Sequence, residues 1–172
     1  MIWFTTDQHH AHEGIIKHCN RPFSTARKMD KEIIRNVNTV VAEEDTLYII
    51  GDLSLVGSQH LGYYRNLMGQ YKVKRKILIL GNHDILKPFT YVNLGFESVH
   101  TSLELEHNGK SYILVHDPAA SCLDRNRIFL CGHVHDLFKF QRNAINVGVD
   151  VWDFFPVSIE QIEAEALGLK MG

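Results

Sequence analysis

The chain reads as a layered α/β protein in which two sheets pack together with helices outside. Two features carry this reading. The first half alternates short β-branched runs with amphipathic stretches, as βαβ units do, and the second half is a series of short strands joined by turn signals. With 172 residues, 45% of them hydrophobic, the chain suffices for one buried core and falls short of two typical domains. Residues 1–172 are therefore expected to form a single domain.

IWFTT (2–6) reads as the first strand. From Asp30, a residue type suited to an N-cap, the residues Ile33, Ile34, Val37, Val40 and Val41 recur at helical spacing. They predict a helix over 31–43 with one face on a sheet. TLYII (46–50) is the second strand, 58–69 a helix, and KILIL (76–80) a third strand between the basic run YKVKRK and Gly81. Segments 96–106, 111–115, 128–131 and 144–149 read as strands, with HNGK (107–110) as a hairpin signal. A last helix is expected over 158–169, with Ser158 opening a capping box.

A formal net charge of -2 gives the chain no general electrostatic grip on nucleic acid or an anionic membrane. The run YKVKRK supplies Lys72, Lys74, Arg75 and Lys76, but a charge run before a strand is more often a solvated loop. Nucleic acid is thus the less favoured partner. Cys19, Cys122 and Cys131 are an odd number without framework spacing, and the N-terminus lacks the pattern of a secretory leader. No run approaches the roughly 20 apolar residues of a membrane span. A reduced, cytoplasmic protein with no membrane partner is expected; oligomeric state is not legible.

The polar residues gather at strand ends. Strand 2–6 runs into Asp7 and His9, strand 46–50 into Gly51 and Asp52, strand 76–80 into GNHD, the segment YILVH into His116, and IFLC into GHVH with His133 and His135. Ligands of open α/β sheets bind outside the carboxyl ends of strands, so these ends should converge on one crevice. Two carboxylates, one carboxamide and several imidazoles, without a thiolate, suit Mn, Fe, Ni or Zn rather than a sulfur-rich structural zinc. Asp7, His9, Asp52, Asn82, His116, His133 and His135 are too many donors for one ion. Two ions about 3.5–4 Å apart with a bridging carboxylate would use them all. The glycines before Asp52, Asn82 and His133 are read as permitting tight turns and positive φ. On an extended strand His133 and His135 would face the same side, letting neighbouring ions share them. His10, His18, His60, His100 and His107 have no tie to a strand end and are expected as surface or helix histidines.

In order, Asp-x-His, Gly-Asp, Gly-Asn-His-Asp, an isolated His and Gly-His-x-His span residues 7–135 and resemble the signature of the calcineurin-like metallophosphoesterases. The stretches FTTDQHHAHEGIIKHCNRPF and NVGVDVWDFFPVSIEQI resemble a small bacterial and phage subgroup of these phosphoesterases, which extends the likeness to nearly the whole chain. The resemblance implies a β-sandwich flanked by helices. It implies one ion held by Asp7, His9, Asp52 and His135 and a second by Asp52, Asn82, His116 and His133, with Asp52 bridging. His83 would face the substrate phosphate, so that His83 and Asp52 are the catalytic pair. The implied activity is hydrolysis of a phosphodiester or phosphomonoester of a nucleotide-like small molecule by a metal-bridged hydroxide. Manganese is the expected ion, with Fe, Ni, Zn or Mg as alternatives.

GDLSLVGS lacks the second aspartate and the arginine that protein phosphatases of the superfamily carry after Gly-Asp, which argues against a protein phosphatase. A nuclease, or a non-catalytic scaffold of the same fold, are the alternative functions. Every ligand position is filled, which favours an enzyme. His12, Asn20 and Arg21 are candidate substrate contacts, since a guanidinium can bind phosphate bidentately; Arg142 and Asn143 are weaker ones.

Overall fold

The computed structural model describes residues 1–55 and 57–169. One sheet holds β1 (Ile2–Thr5), β2 (Thr46–Ile49), β3 (Arg75–Ile79) and β4 (Ser98–His100), all parallel, with β10 (Val157–Ser158) antiparallel on the free edge of β1. The other holds β5 (Ser102–His107), β6 (Lys110–Val115), β7 (Ile128–Cys131), β9 (Ala144–Asn146) and β8 (Phe140–Gln141) in that spatial order. β6, β7 and β9 run parallel, flanked by antiparallel neighbours. Among the described residues five α-helices accompany these strands: α1 (Glu13–His18), α2 (Ala26–Val40), α3 (Leu61–Gln70), α4 (Pro88–Asn93) and, after the last strand, α5 (Ile159–Leu169).

The two-residue period of the strands splits their apolar side chains between two cores. Trp3, Leu47, Ile49 and Leu78 face Ile34 and Val37 of α2, Tyr64, Leu67 and Met68 of α3 and Tyr91 of α4. Their sequence neighbours Phe4, Tyr48, Ile50, Ile77 and Ile79 point the other way, against Tyr112, Leu114, Leu130 and Ile145 of the second sheet. Helices thus cover the outer face of the first sheet, and the sandwich core lies between the sheets. On the outer face of the second sheet Glu104 and Glu106 are exposed. Among the described residues no helix is long and apolar enough to cross a membrane.

Several elements depart from their predicted bounds. The helix expected over 31–43 begins at Ala26, because Thr25 caps it, its side chain accepting from the Lys28 N–H at 3.3 Å. Ala26 and Met29 then extend the apolar face through Ile33 toward α1. Asp30, read as the cap, lies inside the helix. Segment 96–106 is two strands in different sheets, since the chain crosses from β4 to β5 at Thr101. The stretch 144–149 stops as a strand at Asn146, whose amide donates to the carbonyls of His135 (2.7 Å) and Phe138 (2.9 Å) and accepts from the Gly148 N–H (2.8 Å). Residues 58–60 form a 3-10 turn before α3.

The hairpin signal is realised: His107 pairs with Lys110 around Asn108 (φ 49°) and Gly109 (φ 72°), the left-handed pair a two-residue turn requires. The capping box of α5 closes through Gln161, which exchanges hydrogen bonds with Ser158 at 2.8 and 3.2 Å. Because β1, β2 and β3 in one sheet and β6, β7 and β9 in the other are parallel within their sheets, each sheet gathers its carboxyl ends at one edge. The polar clusters follow from these ends.

Candidate metal centre

Beyond β1 the chain stays beside the loop that follows β2. The N–H groups of Asp7, His9 and His10 donate to the carbonyls of Gly51, Asp52 and Leu53 at 3.1, 3.0 and 2.9 Å. Asp7 (φ 57°), His9 (50°), Asp52 (51°), His133 (70°) and His135 (50°) all take left-handed backbone conformations. Non-glycine residues seldom do, and they concentrate where the surrounding structure over-determines the backbone. Here the left-handed turns come after β1, β2 and β7, while Asn82 after β3 and His116 after β6 are delivered without one.

The glycines work differently from expectation. Of the glycines before Asp52, Asn82 and His133, only Gly51 uses positive φ (90°). Gly81 and Gly132 are needed for close approach: a Cβ on Gly81 would run into the Asp52 carboxylate, and one on Gly132 into the Asp7 carboxylate and Thr6. The backbone can pass directly over each acid only because no side chain is there.

All seven expected donors come together. Asp7, His9 and His135 form one group and Asp52, His116 and His133 another, each offering donor atoms within 4.8 Å of one another. Asp52 joins the two, since its Oδ2 lies 3.5 Å from His9 Nε2 and 3.4 Å from His116 Nε2. Asn82 Oδ1 is 3.0 Å from His133 Nδ1. His133 and His135 are not on an extended strand. Each occupies a left-handed turn after β7, so they go to different groups instead of facing one side together.

The chemistry of this donor set fits divalent ions. Both ring nitrogens of His9 and Nε2 of His116 are buried without a hydrogen-bond partner. Buried polar atoms are rarely left so, and ions at the cluster would satisfy the two Nε2 atoms. His116 Nδ1 lies 2.8 Å from the Ile50 carbonyl, so donation there leaves the Nε2 lone pair directed at the cluster. Burial pulls the His116 pKa down, but Asp52 and Asp7 outweigh it and lift it to about 9. Burial likewise raises Asp52, and the close His116 imidazole with the His83 N–H bring it net down to about 2. His9 is lowered to about 3, chiefly by burial. Burial holds Asp7 above the usual carboxylate range, with His116 and His135 opposing. Without a cation, the His116–Asp52 contact is an ion pair; with one, both are ready ligands.

Around this cluster stand further histidines. His83 is 41% exposed, its Nε2 3.9 Å from Asp52 Oδ2 and its N–H held by Asp52 Oδ1 at 2.9 Å. The His12 ring is 5.6 Å from that of His9, and its pKa is lowered by burial first and then by His83. His18, read only as a helix or surface histidine, lies at the end of α1 with its ring edge-on to His135 at 5.9 Å.

Arg21 departs from its expected role. Its side chain is fully buried and binds Asp150 bidentately at 2.7 and 2.7 Å, donating also to the carbonyls of Gln8 (3.1 Å) and Asp7 (2.8 Å). A guanidinium so engaged is not offered to phosphate; it fastens the Asp7 loop from behind. Asn20 is exposed in the turn after α1, and Arg142 and Asn143 lie before β9, away from its carboxyl end. Asn143 spends its amide on the carbonyls of Ser121, Asp124 and Arg127. His10 is no surface histidine. It is buried, its ring 3.0 Å from Asp30 and 2.8 Å from the Tyr71 hydroxyl.

Two residues escaped the sequence reading. Asp150 sits 3.4 Å from His135 Nδ1 as well as on Arg21. Asp84 accepts the N–H groups of Asp52 (2.8 Å), Leu53 (3.1 Å) and Gly81 (2.8 Å), fastening the loops after β2 and β3 together. Burial pushes it up to about 6, the three donors pulling the other way. Asp84 could have been suspected as the last residue of GNHD; nothing local marks Asp150.

No family model matches the chain. An uncharacterized protein of Methanocaldococcus jannaschii, MJ1445, is 33% identical over 169 residues, covering 94% of this chain and 88% of its own length. A protein of unknown function from Aquifex aeolicus, AQ665, superposes with a TM-score of 0.73 at 26% identity over 95% of this chain and 98% of that one. A novel archaeal phosphodiesterase shares the fold at a TM-score of 0.50 and 16% identity, covering 86% of this chain and 82% of its own. The chain belongs to one family with MJ1445 and has the fold of the metallophosphoesterases. As in a metallophosphoesterase, two mixed sheets are flanked by helices and candidate metal-binding groups lie at the strand ends.

Proposed function

We propose that this chain is a metallophosphoesterase that hydrolyses a phosphodiester or phosphomonoester of a small nucleotide-like molecule with two divalent ions. The reading rests on the position of Asp52 Oδ2 between the His9 and His116 imidazoles, at the junction of two donor groups. Asp7, His9, Asp52 and His135 would hold one ion and Asp52, Asn82, His116 and His133 the other. Manganese suits the oxygen, amide and imidazole donors. When bound, such a pair supplies Lewis-acid charge and a water of lowered pKa.

The chain's own residues do the rest. Asp7 and Asp52 offset only part of the cationic charge, so the centre attracts a phosphate anion. His83, partly exposed and fixed by its backbone to Asp52, would direct Nε2 at the phosphoryl group, stabilising its charge or handing a proton to the leaving oxygen. His12 would line the same wall. Arg21 and Asp150 would keep the Asp7 loop and His135 in place.

A nuclease is less well supported. Lys74 is paired with Glu43 and Glu44 and Arg75 with Glu97, while Lys76 is buried on the Val73 carbonyl; the run lies at the amino end of β3, opposite the site. Metal analysis combined with turnover of bis(p-nitrophenyl) phosphate, p-nitrophenyl phosphate and short oligonucleotides, in Mn, Ni, Zn or Mg, tests these readings. Two ions per chain and ester hydrolysis with little salt-dependent oligonucleotide cleavage are expected. Bound metal without hydrolysis of any ester would leave a scaffold; preferential oligonucleotide cleavage would leave a nuclease.

A further inference from the structure

A cleft of about 400 Å³ opens beside the candidate centre, on the side of Asn82 and His133. Its wall nearest the donors is His116 and His133, and from there it continues over Leu80, Val115 and Thr101 to Asp117. The cleft shares Asn82, His116 and His133 with the candidate centre, and its volume falls in the range of small-molecule sites. Leu80 and Val115 make its inner surface apolar, and among the described residues no lysine or arginine lines it. Its one carboxylate is fixed: Asp117 accepts the Ala119 N–H at 2.8 Å, which holds the side chain at the exposed edge.

The opposite side of the centre has a different character. There His83, His12 and His18 present imidazoles. The guanidinium nearest the centre, Arg21, is already spent on Asp150 and two carbonyls. The mouth therefore has no cation to receive a second phosphate or carboxylate on the Asn82 side, and an anion placed there would meet Asp117. Uncharged planar or apolar groups would meet Leu80 and Val115 with nothing left unpaired.

We propose that the Leu80–Val115–Thr101 cleft is the subsite for an uncharged organic arm of a phosphodiester, and that Asp117 at its edge rejects substrates whose arm carries a negative charge. This rests on the phosphoesterase reading above and names the substrate class for it.

The test uses the metal-loaded full chain and three probes: bis(p-nitrophenyl) phosphate, the same diester with a carboxylate on one ring, and p-nitrophenyl phosphate. The wild type is expected to favour the uncharged diester over the carboxylated one by about tenfold in kcat/KM, the scale of one partly solvated charge contact. Asp117→Asn should bring the two diesters near equality, and Asp117→Lys should reverse the order, with metal content measured in both. Thr101→Trp, which fills the cleft from a position that is not itself a donor, should raise KM for bis(p-nitrophenyl) phosphate several-fold while two ions remain bound. Equal selectivity in wild type and Asp117→Asn overturns the charge rejection, and an unchanged KM in Thr101→Trp overturns the subsite. Hydrolysis of bis(p-nitrophenyl) phosphate with these variants inert removes this proposal alone; no hydrolysis of any probe by the metal-loaded wild type removes the phosphoesterase reading as well.

Discussion

Asp52 and His83 sit side by side in the same cluster, yet substitution should separate them. Asp52→Asn takes away the charge that joins the two donor groups, so both ions should weaken and turnover should vanish. His83→Ala removes no proposed ligand, and turnover should fall while two ions stay bound; metal analysis of the two variants checks this, and full metal loss in His83→Ala would contradict the assignment. Proton linkage gives a second prediction. In the metal-free chain His116 is raised to about 9, so its contribution to stability is complete below its ordinary pKa of 6.5 and is lost as pH rises through 9. Asp52, lowered to about 2, contributes above its ordinary 3.8 and ceases to do so as pH falls through 2. The apo protein should therefore gain most from this pair between pH 3.8 and 6.5, and metal affinity should climb from pH 6.5 to 9 as His116 gives up its proton. Calorimetric titration with manganese across that window reads it directly. Arg21 is the residue where chemistry misled: its type promises phosphate, but Asp150, 129 positions away, claims it. Arg21→Met should cost about 3–5 kcal/mol in denaturant unfolding, because it strands a buried carboxylate.

Between elements, the site is held by backbone hydrogen bonds more than by the strands themselves. Asp84 accepts three N–H groups from two loops, and Asp84→Asn replaces one of its acceptor oxygens with a donor. A loss of about 1–3 kcal/mol is expected, with weaker binding of the ion on the Asn82 side. Thr25→Ala is the contrasting case. It should cost about 1 kcal/mol through the lost cap of α2 and leave metal stoichiometry untouched, since that cap is remote from every donor. Equal metal loss in both variants would mean the centre merely follows global stability. Element positions were largely legible because apolar period fixes which residues a strand buries. The start of α2 was not, because Asp30 and Thr25 are both sound caps by type, and the choice fell to the packing of Met29 and Ile33 on α1.

For the molecule as a whole, the strand ends of two sheets supply seven donors to one place, and buried imidazole nitrogens there lack partners. Metal binding is thus expected to be a stability term. Adding manganese to a hundred times its dissociation constant should stabilise the fold by about 2.7 kcal/mol, and chelation should lower the melting temperature accordingly. Coincident unfolding curves with and without metal would oppose a preformed centre.

The order and identity of the donors, their place behind apolar runs and the layered architecture were written in the amino acids, because side-chain chemistry and strand period are local properties. Which donor meets which was settled only in three dimensions. The left-handed turns at His133 and His135 send two near neighbours to separate groups, Asp150 captures Arg21 from the far end of the chain, and His10 is buried on Asp30. Each of these depends on distances between segments remote in sequence, and no local pattern encodes such a distance.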